Sequence, residues 1–165
     1  MKKLISVCLI FVIFSSCKSE SSNQSFETTL NYPFTCSADI LYSNFSASCD
    51  LCFKNTASAT LEFTAPETVK GLVLSFDGEK MTADFSGITF LVEGDTASIA
   101  KLLFETISAS KTRRAKKSDT KNEINLTLNG YEFNLTFDKK SGKPLKLSIP
   151  SQKFEASFYD FKILS

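Results

Sequence analysis

The chain has 165 residues, with 19 Lys and Arg against 18 Asp and Glu, 16 Phe, no Trp and no His. The absence of His removes Ser-His-Asp and Cys-His nucleophile systems, His-ligated metals and histidine general bases. Near-neutral net charge says little, but its distribution is uneven. Residues 17–110 carry 5 basic and 12 acidic side chains, whereas residues 111–165 carry 12 and 6.

The chain begins with Met1-Lys2-Lys3, and Leu4 to Phe14 is an almost unbroken apolar run. The run is too short to span a bilayer as a helix, which takes ~20 residues. It suits the apolar core of a secretion signal behind a basic start. Phe14-Ser15-Ser16-Cys17 then sets small residues directly before a cysteine. This ending resembles a bacterial lipoprotein signal. The resemblance implies cleavage before Cys17, a signal peptide over 1–16, and acylation of the Cys17 sulfur. Two acyl chains, such as palmitate, anchor stably where one is marginal. The expected place is the outer face of the cell membrane, or an outer membrane where the host has one. An ordinary signal peptide with an incidental Cys17 is the alternative.

Residues 17–32 read as the lipidated Cys and a polar tether rich in Ser, Thr and Asn. Residues 33–165 read as one domain, large enough to bury a core. From Phe34 the apolar residues alternate, which marks half-buried strands. Phe34, Cys36, Ala38, Ile40 and Tyr42 form the first set; Phe45, Ala47, Cys49, Leu51 and Phe53 the second; Ala59, Leu61 and Phe63 the third, closed by Pro66. Asp77-Gly78 predicts a two-residue hairpin pairing Leu74 with Met81 and Leu72 with Ala83. Ile88, Phe90 and Val92 form another strand.

Asp95 or Thr96 is suited to cap a helix, and Ile99, Leu102, Leu103 and Ile107 follow at helical spacing. A helix is predicted over Thr96 to Ser108. The basic run Lys111 to Lys117 follows as a loop. Asn129-Gly130 predicts a second hairpin, pairing Leu128 with Tyr131, Leu126 with Phe133 and Ile124 with Leu135. Leu145, Leu147 and Ile149 follow the turn at Gly142-Lys143-Pro144. In the last strand the apolar parity flips between Phe158 and Phe161, which predicts a β-bulge near Tyr159-Asp160. Roughly ten strands and one apolar-faced helix give a mainly β, α+β fold. The sheet is expected to be antiparallel and strongly curved, an open half-barrel with the helix on its concave side.

This order of elements resembles the LolA/LolB-like lipoprotein-carrier superfamily. The likeness rests on the Phe63-to-Pro66 step, the Gly71-to-Gly87 meander into a helix, and the Gly142-Lys143-Pro144 turn. It implies an open β-barrel with a helical lid and acyl chains held in an apolar cavity between them. The soluble carriers begin with a full helix and carry an arginine on a barrel strand. Here only Ser25 to Tyr32 precedes the strands, and Arg113 and Arg114 fall in the expected loop. With Cys17 as an anchor, the comparison favours a fixed acceptor or lipid-binding lipoprotein over a free shuttle.

The expected ligand surface is Phe63, Leu74, Phe76, Phe85 and Phe90 from strands, with Leu102, Leu103 and Phe104 from the helix. The alternative is a plain packed core. A void of ~300 Å³ or more beneath the helix separates the two. A filled interior points to a non-enzymatic lipoprotein that docks an envelope partner. Lys111, Arg113, Arg114, Lys116 and Lys117 are candidates for contact with anionic headgroups or with that partner. Cys36 and Cys49 share a parity on neighbouring strands, so their disulfide is favoured; Cys36–Cys52 requires a three-residue loop at Ser43-Asn44-Phe45. Cys49 and Cys52 lie three apart on a strand and point to opposite faces, so no metal or redox site is expected. No G-x-S-x-G, P-loop or dinucleotide fingerprint is present. The chain is expected to be a monomer and not an enzyme, with no cofactor and no nucleic-acid partner.

Overall fold

The computed structural model describes residues 33–93, 95–110, 116–117, 122–128 and 130–164. The signal at 1–16, Cys17, the tether to residue 32 and the basic residues Lys111, Arg113 and Arg114 lie outside the described residues.

Alternating apolar residues produce the strands. β1 (Phe34–Tyr42) buries Phe34, Cys36, Ala38 and Ile40, and β2 (Phe45–Phe53) buries Ala47, Cys49, Leu51 and Phe53. β3 (Ala59–Ala65), β4 (Val73–Phe76), β5 (Met81–Phe85) and β6 (Ile88–Leu91) continue the meander. Then come α1 (Asp95–Ser110), β7 (Lys116–Lys117), β8 (Asn122–Leu128), β9 (Tyr131–Phe137), β10 (Pro144–Ile149), a 3₁₀ turn at Pro150–Gln152, and β11 (Phe154–Ile163).

Among the described residues these strands form one antiparallel sheet in the order β6-β5-β4-β3-β2-β1-β11-β10-β9-β8-β7. Pairing of the first and last strands at its centre joins two meanders. The Leu164 amide donates to the Pro33 carbonyl at 2.9 Å, so the two ends of the domain are side by side. β6 and β7 are the free edges, and α1 lies between them in sequence. The link must therefore cross one face of the sheet. The stripe of Ala100, Leu102, Leu103, Phe104 and Ile107 selects the apolar face, and all five are buried there. The expected curved, open sheet with one covering helix is the observed architecture.

The two hairpins came out differently. Leu128↔Tyr131, Leu126↔Phe133 and Ile124↔Leu135 pair as expected. In the other, Phe76 pairs with Met81 and Leu74 with Ala83, a slip of two residues from the expected register. The faces are kept because side chains alternate with period two. The loop holds four residues because Asp77 stabilises it. Its Oδ1 accepts from the amides of Glu79 at 3.1 Å and Lys80 at 2.8 Å. Those bonds hold the Asp77 carboxyl below its usual range, the Lys80 amide contributing most.

The β-bulge lies where the parity flip put it. Between Thr35 and Ser37 the pairing with β11 shifts by one residue, and Asp160 adopts φ 53°. The end of the basic run is not loop: Lys116 and Lys117 form the short strand β7 opposite Glu123 and Asn122. Like a Lys-bearing edge in general, it is poorly suited to further pairing.

Candidate functional site

The interior beneath α1 divides into a filled part and an open part. The filled part is built from phenylalanine. Phe34 stacks on Phe53 with ring centroids 4.8 Å apart, Phe104 meets Phe53 edge-on at 5.8 Å, and Phe104 stacks on Phe76 at 5.9 Å. Such pairs add ~0.5–1.5 kcal/mol each beyond area burial. They fix the middle of α1 against β2 and β4.

The open part is a half-open cavity of about 110 Å³. Its floor is Ile40 and Tyr42 of β1, Phe45 of β2, Leu61 and Phe63 of β3, Leu74 of β4 and Phe154 of β11; Ala100 and Leu103 of α1 form the roof. Every lining side chain is apolar or aromatic. Such a wall favours any apolar group and imposes little direction on it. The volume is below the ~300 Å³ at which ligand pockets usually begin. Larger grooves of about 390 and 420 Å³ lie elsewhere and are lined mostly by polar strand side chains, among them Asp50, Glu62 and Asp160 in the first.

Of the eight residues expected to line a ligand site, Phe63, Leu74 and Leu103 border this cavity. Phe76, Leu102 and Phe104 are buried in the core. Phe85 and Phe90 are 41% and 50% exposed at the β6 edge, because α1 does not cover the sheet that far. Ile40, Tyr42, Phe45, Leu61, Ala100 and Phe154 were not anticipated as lining. Their parity was legible for the strands, but which part of the sheet the helix leaves open was not.

The favoured disulfide is corrected. Cys36, Cys49 and Cys52 are free. Cys36 stands opposite Leu51, and Cys49 opposite Ala38, so the two cysteines are diagonal neighbours. Diagonal Cα atoms are ~7–8 Å apart, beyond the usual disulfide span of ~4.4–6.8 Å. Cys52 is opposite Thr35 and Thr60 and outside the buried face, which also separates it from Cys36. The Cys49 thiol donates to the Ala38 carbonyl at 3.6 Å. Burial is the main cause that pushes the Cys36 and Cys49 thiols from 9.0 up to about 12.

On the outer face, Asp39 accepts from Ser48 Oγ at 2.7 Å and from the Tyr159 hydroxyl at 3.2 Å, and Asp50 accepts from Ser37 Oγ at 2.7 Å. Among the described residues no three His, Cys, Asp or Glu side chains converge to hold a metal ion.

No family model and no curated protein matches the sequence. Among solved structures, the fold is similar to that of an uncharacterized conserved protein from Thermus thermophilus. The two are 11% identical with a TM-score of 0.51, over 87% of this chain and 82% of that one. A looser likeness joins it to a LolA superfamily protein from Nitrosomonas europaea, 10% identical with a TM-score of 0.43, over 81% of this chain and 86% of that one. At such identities the likeness is one of fold.

Proposed function

We propose that this chain is an exported lipoprotein, anchored through Cys17, that binds an apolar chain between its curved sheet and α1. The supporting observation is the apolar cavity roofed by Ala100 and Leu103. Burial of a ligand chain there contributes ~0.8 kcal/mol per methylene. The anchor rests on the sequence, Ser15-Ser16-Cys17 behind an apolar run. An anchored binder passes its ligand on within reach of its own bilayer, and this reading involves no catalysis.

Two experiments test the proposal. Native mass spectrometry of gently purified mature protein is expected to show bound lipid, and a fluorescent fatty acid is expected to titrate in. Absence of both sinks the binding reading. Cys17→Ala is expected to abolish incorporation of labelled palmitate and to release the protein from membranes; continued labelling sinks the anchor.

A second reading has its own support. The cavity is small and the phenylalanine cluster fills the rest, as in a module that docks an envelope partner. Under that reading, neutralising Lys111, Arg113, Arg114, Lys116 and Lys117 abolishes capture of the partner, and no lipid is bound.

A further inference from the structure

The uneven charge of the sequence has a place in the fold. Register puts Pro33 at the same end of the sheet as the end of β11, the β9–β10 turn (138–143) and the Asp77 loop. The Leu164 amide bonds to Pro33, and the Lys143 ammonium lies over the Phe161 ring, 5.8 Å from its centroid. On the β9–β11 side of this end stand Lys139, Lys140, Lys143 and Lys162, all exposed. Ile163 and Leu164, which follow Lys162, are 64% and 40% exposed. Two carboxylates accompany the lysines. Asp138 serves its own turn, accepting from the amides of Lys140 at 3.1 Å and Ser141 at 2.6 Å, and Asp160 sits in the bulge. Among the described residues Lys140, Lys143 and Lys162 form no ion pair. The other side of this end is mixed, with Lys54 and Lys80 against Asp77, Glu79 and Glu93. The described turns at the opposite end carry Glu67 and Lys70, paired with each other at 2.8 Å, and Lys153.

We propose that this corner is the face the domain lays on a bilayer of anionic lipid. The four lysines meet headgroup phosphates, and Ile163 and Leu164 press into the boundary beneath them. The place where the chain leaves the domain selects a bilayer as the partner. Sixteen peptide links join Pro33 to Cys17, a span of at most ~55 Å. An acyl chain on Cys17 therefore holds this end of the sheet nearest the membrane. The chemistry agrees, because lysines beside exposed aliphatic side chains match phosphates lying above hydrocarbon. The inference rests on the anchor of the proposed function for this geometry, and it uses neither the cavity nor the basic run at Lys111 to Lys117. The domain is then tilted onto its β9–β11 side, since the carboxylates of the Asp77 loop are repelled by the same surface.

The test is sedimentation of the mature chain carrying Cys17→Ala, which cannot be acylated there, with large vesicles at low ionic strength. Binding is expected to vesicles of mixed phosphatidylcholine and phosphatidylglycerol, to be absent with phosphatidylcholine alone, and to weaken in high salt. Each lysine near such a surface contributes about fivefold, so Lys140→Gln, Lys143→Gln, Lys162→Gln together are expected to weaken binding about 100-fold. A Lys54→Gln, Lys80→Gln, Lys153→Gln variant has the same net charge and is expected to lose about tenfold at most. The chain has no Trp, so Ile163→Trp supplies a single reporter. Its emission is expected to shift to the blue on the anionic vesicles, whereas that of Asn44→Trp, in the β1–β2 turn at the far end, stays unchanged. Equal losses in the two lysine variants, a shift at position 44 in place of 163, or no binding by the folded protein overturns the inference. Binding of poly-glutamate without binding of vesicles assigns the corner to an acidic protein and also overturns it. Palmitate labelling of Cys17 is measured on the unaltered chain, so the anchor and the corner fail separately.

Discussion

Ala100→Leu adds three carbons to the roof of the cavity. Ala100 is 9% exposed and lines the open space of about 110 Å³. Burial of three carbons at ~0.8 kcal/mol each gives at most ~2.4 kcal/mol. A few tenths are lost because Leu is a slightly poorer helix former than Ala, and an imperfect rotamer costs ~0.5–1.5 kcal/mol. The expected result is a stabilisation of about 0.5–1.5 kcal/mol, or roughly 2–6 °C in Tm for a domain of this size. Urea unfolding of the ligand-free mature protein, followed by circular dichroism, reads it. The same carbons take the place of ligand methylenes, so fatty-acid affinity is expected to fall roughly 50-fold. The two effects have opposite signs, which a merely tolerated substitution does not produce. Destabilisation beyond about 1 kcal/mol means overpacking, so that the space is not there. A more stable protein with undiminished binding means that the ligand does not use the cavity.

Three further outcomes follow from the packing. Phe104→Ala removes the ring that stacks on Phe76 and meets Phe53; a loss of about 3–5 kcal/mol in urea unfolding is expected, and a loss under 1 kcal/mol refutes its role in fixing α1. Thr106 Oγ1 is buried without a hydrogen-bond partner among the described residues. Thr106→Val keeps the shape and removes that cost, so a gain of about 1–2 kcal/mol is expected, and a destabilised variant shows that the hydroxyl has a partner. Cys36 and Cys49 keep their protons in the fold up to about pH 12, whereas the unfolded thiols titrate near 9.0. Between those values the native state holds more protons than the unfolded chain, so stability falls as pH rises from about 9 toward 12. Urea midpoints at pH 8 and pH 10.5 measure the fall, and a Cys36→Ala, Cys49→Ala variant is expected to flatten it; an identical slope assigns it to other groups.

Period-two alternation from Phe34 to Phe53, the Asn129-Gly130 turn and the parity flip before Phe161 were enough for strands, one register and a bulge. These features are local: side-chain direction repeats every two residues, and a turn dipeptide constrains only the strands beside it. The helix was equally legible from the spacing of Leu102, Leu103 and Ile107, which one amphipathic element carries by itself. The Asp77-Gly78 loop was not, because a carboxylate that satisfies two amides competes with the two-residue turn, and only the pairing of Phe76 with Met81 shows which one forms. The cysteines failed for the same reason. Shared parity puts Cys36 and Cys49 on one face, but the pairing of β1 with β2 decides whether they stand opposite or diagonal.

The site divides in the same way. The sequence by itself determined that one face of the sheet is apolar and that a single helix must cover it, since apolar periodicity is written in neighbouring residues. Tertiary structure alone decided how far the cover reaches. α1 is shorter than the apolar face is wide, and its phenylalanine contacts fix where it lies. Phe63, Leu74 and Leu103 consequently border an open space, Phe76 and Phe104 are sealed, and Phe85 and Phe90 are left bare at the edge.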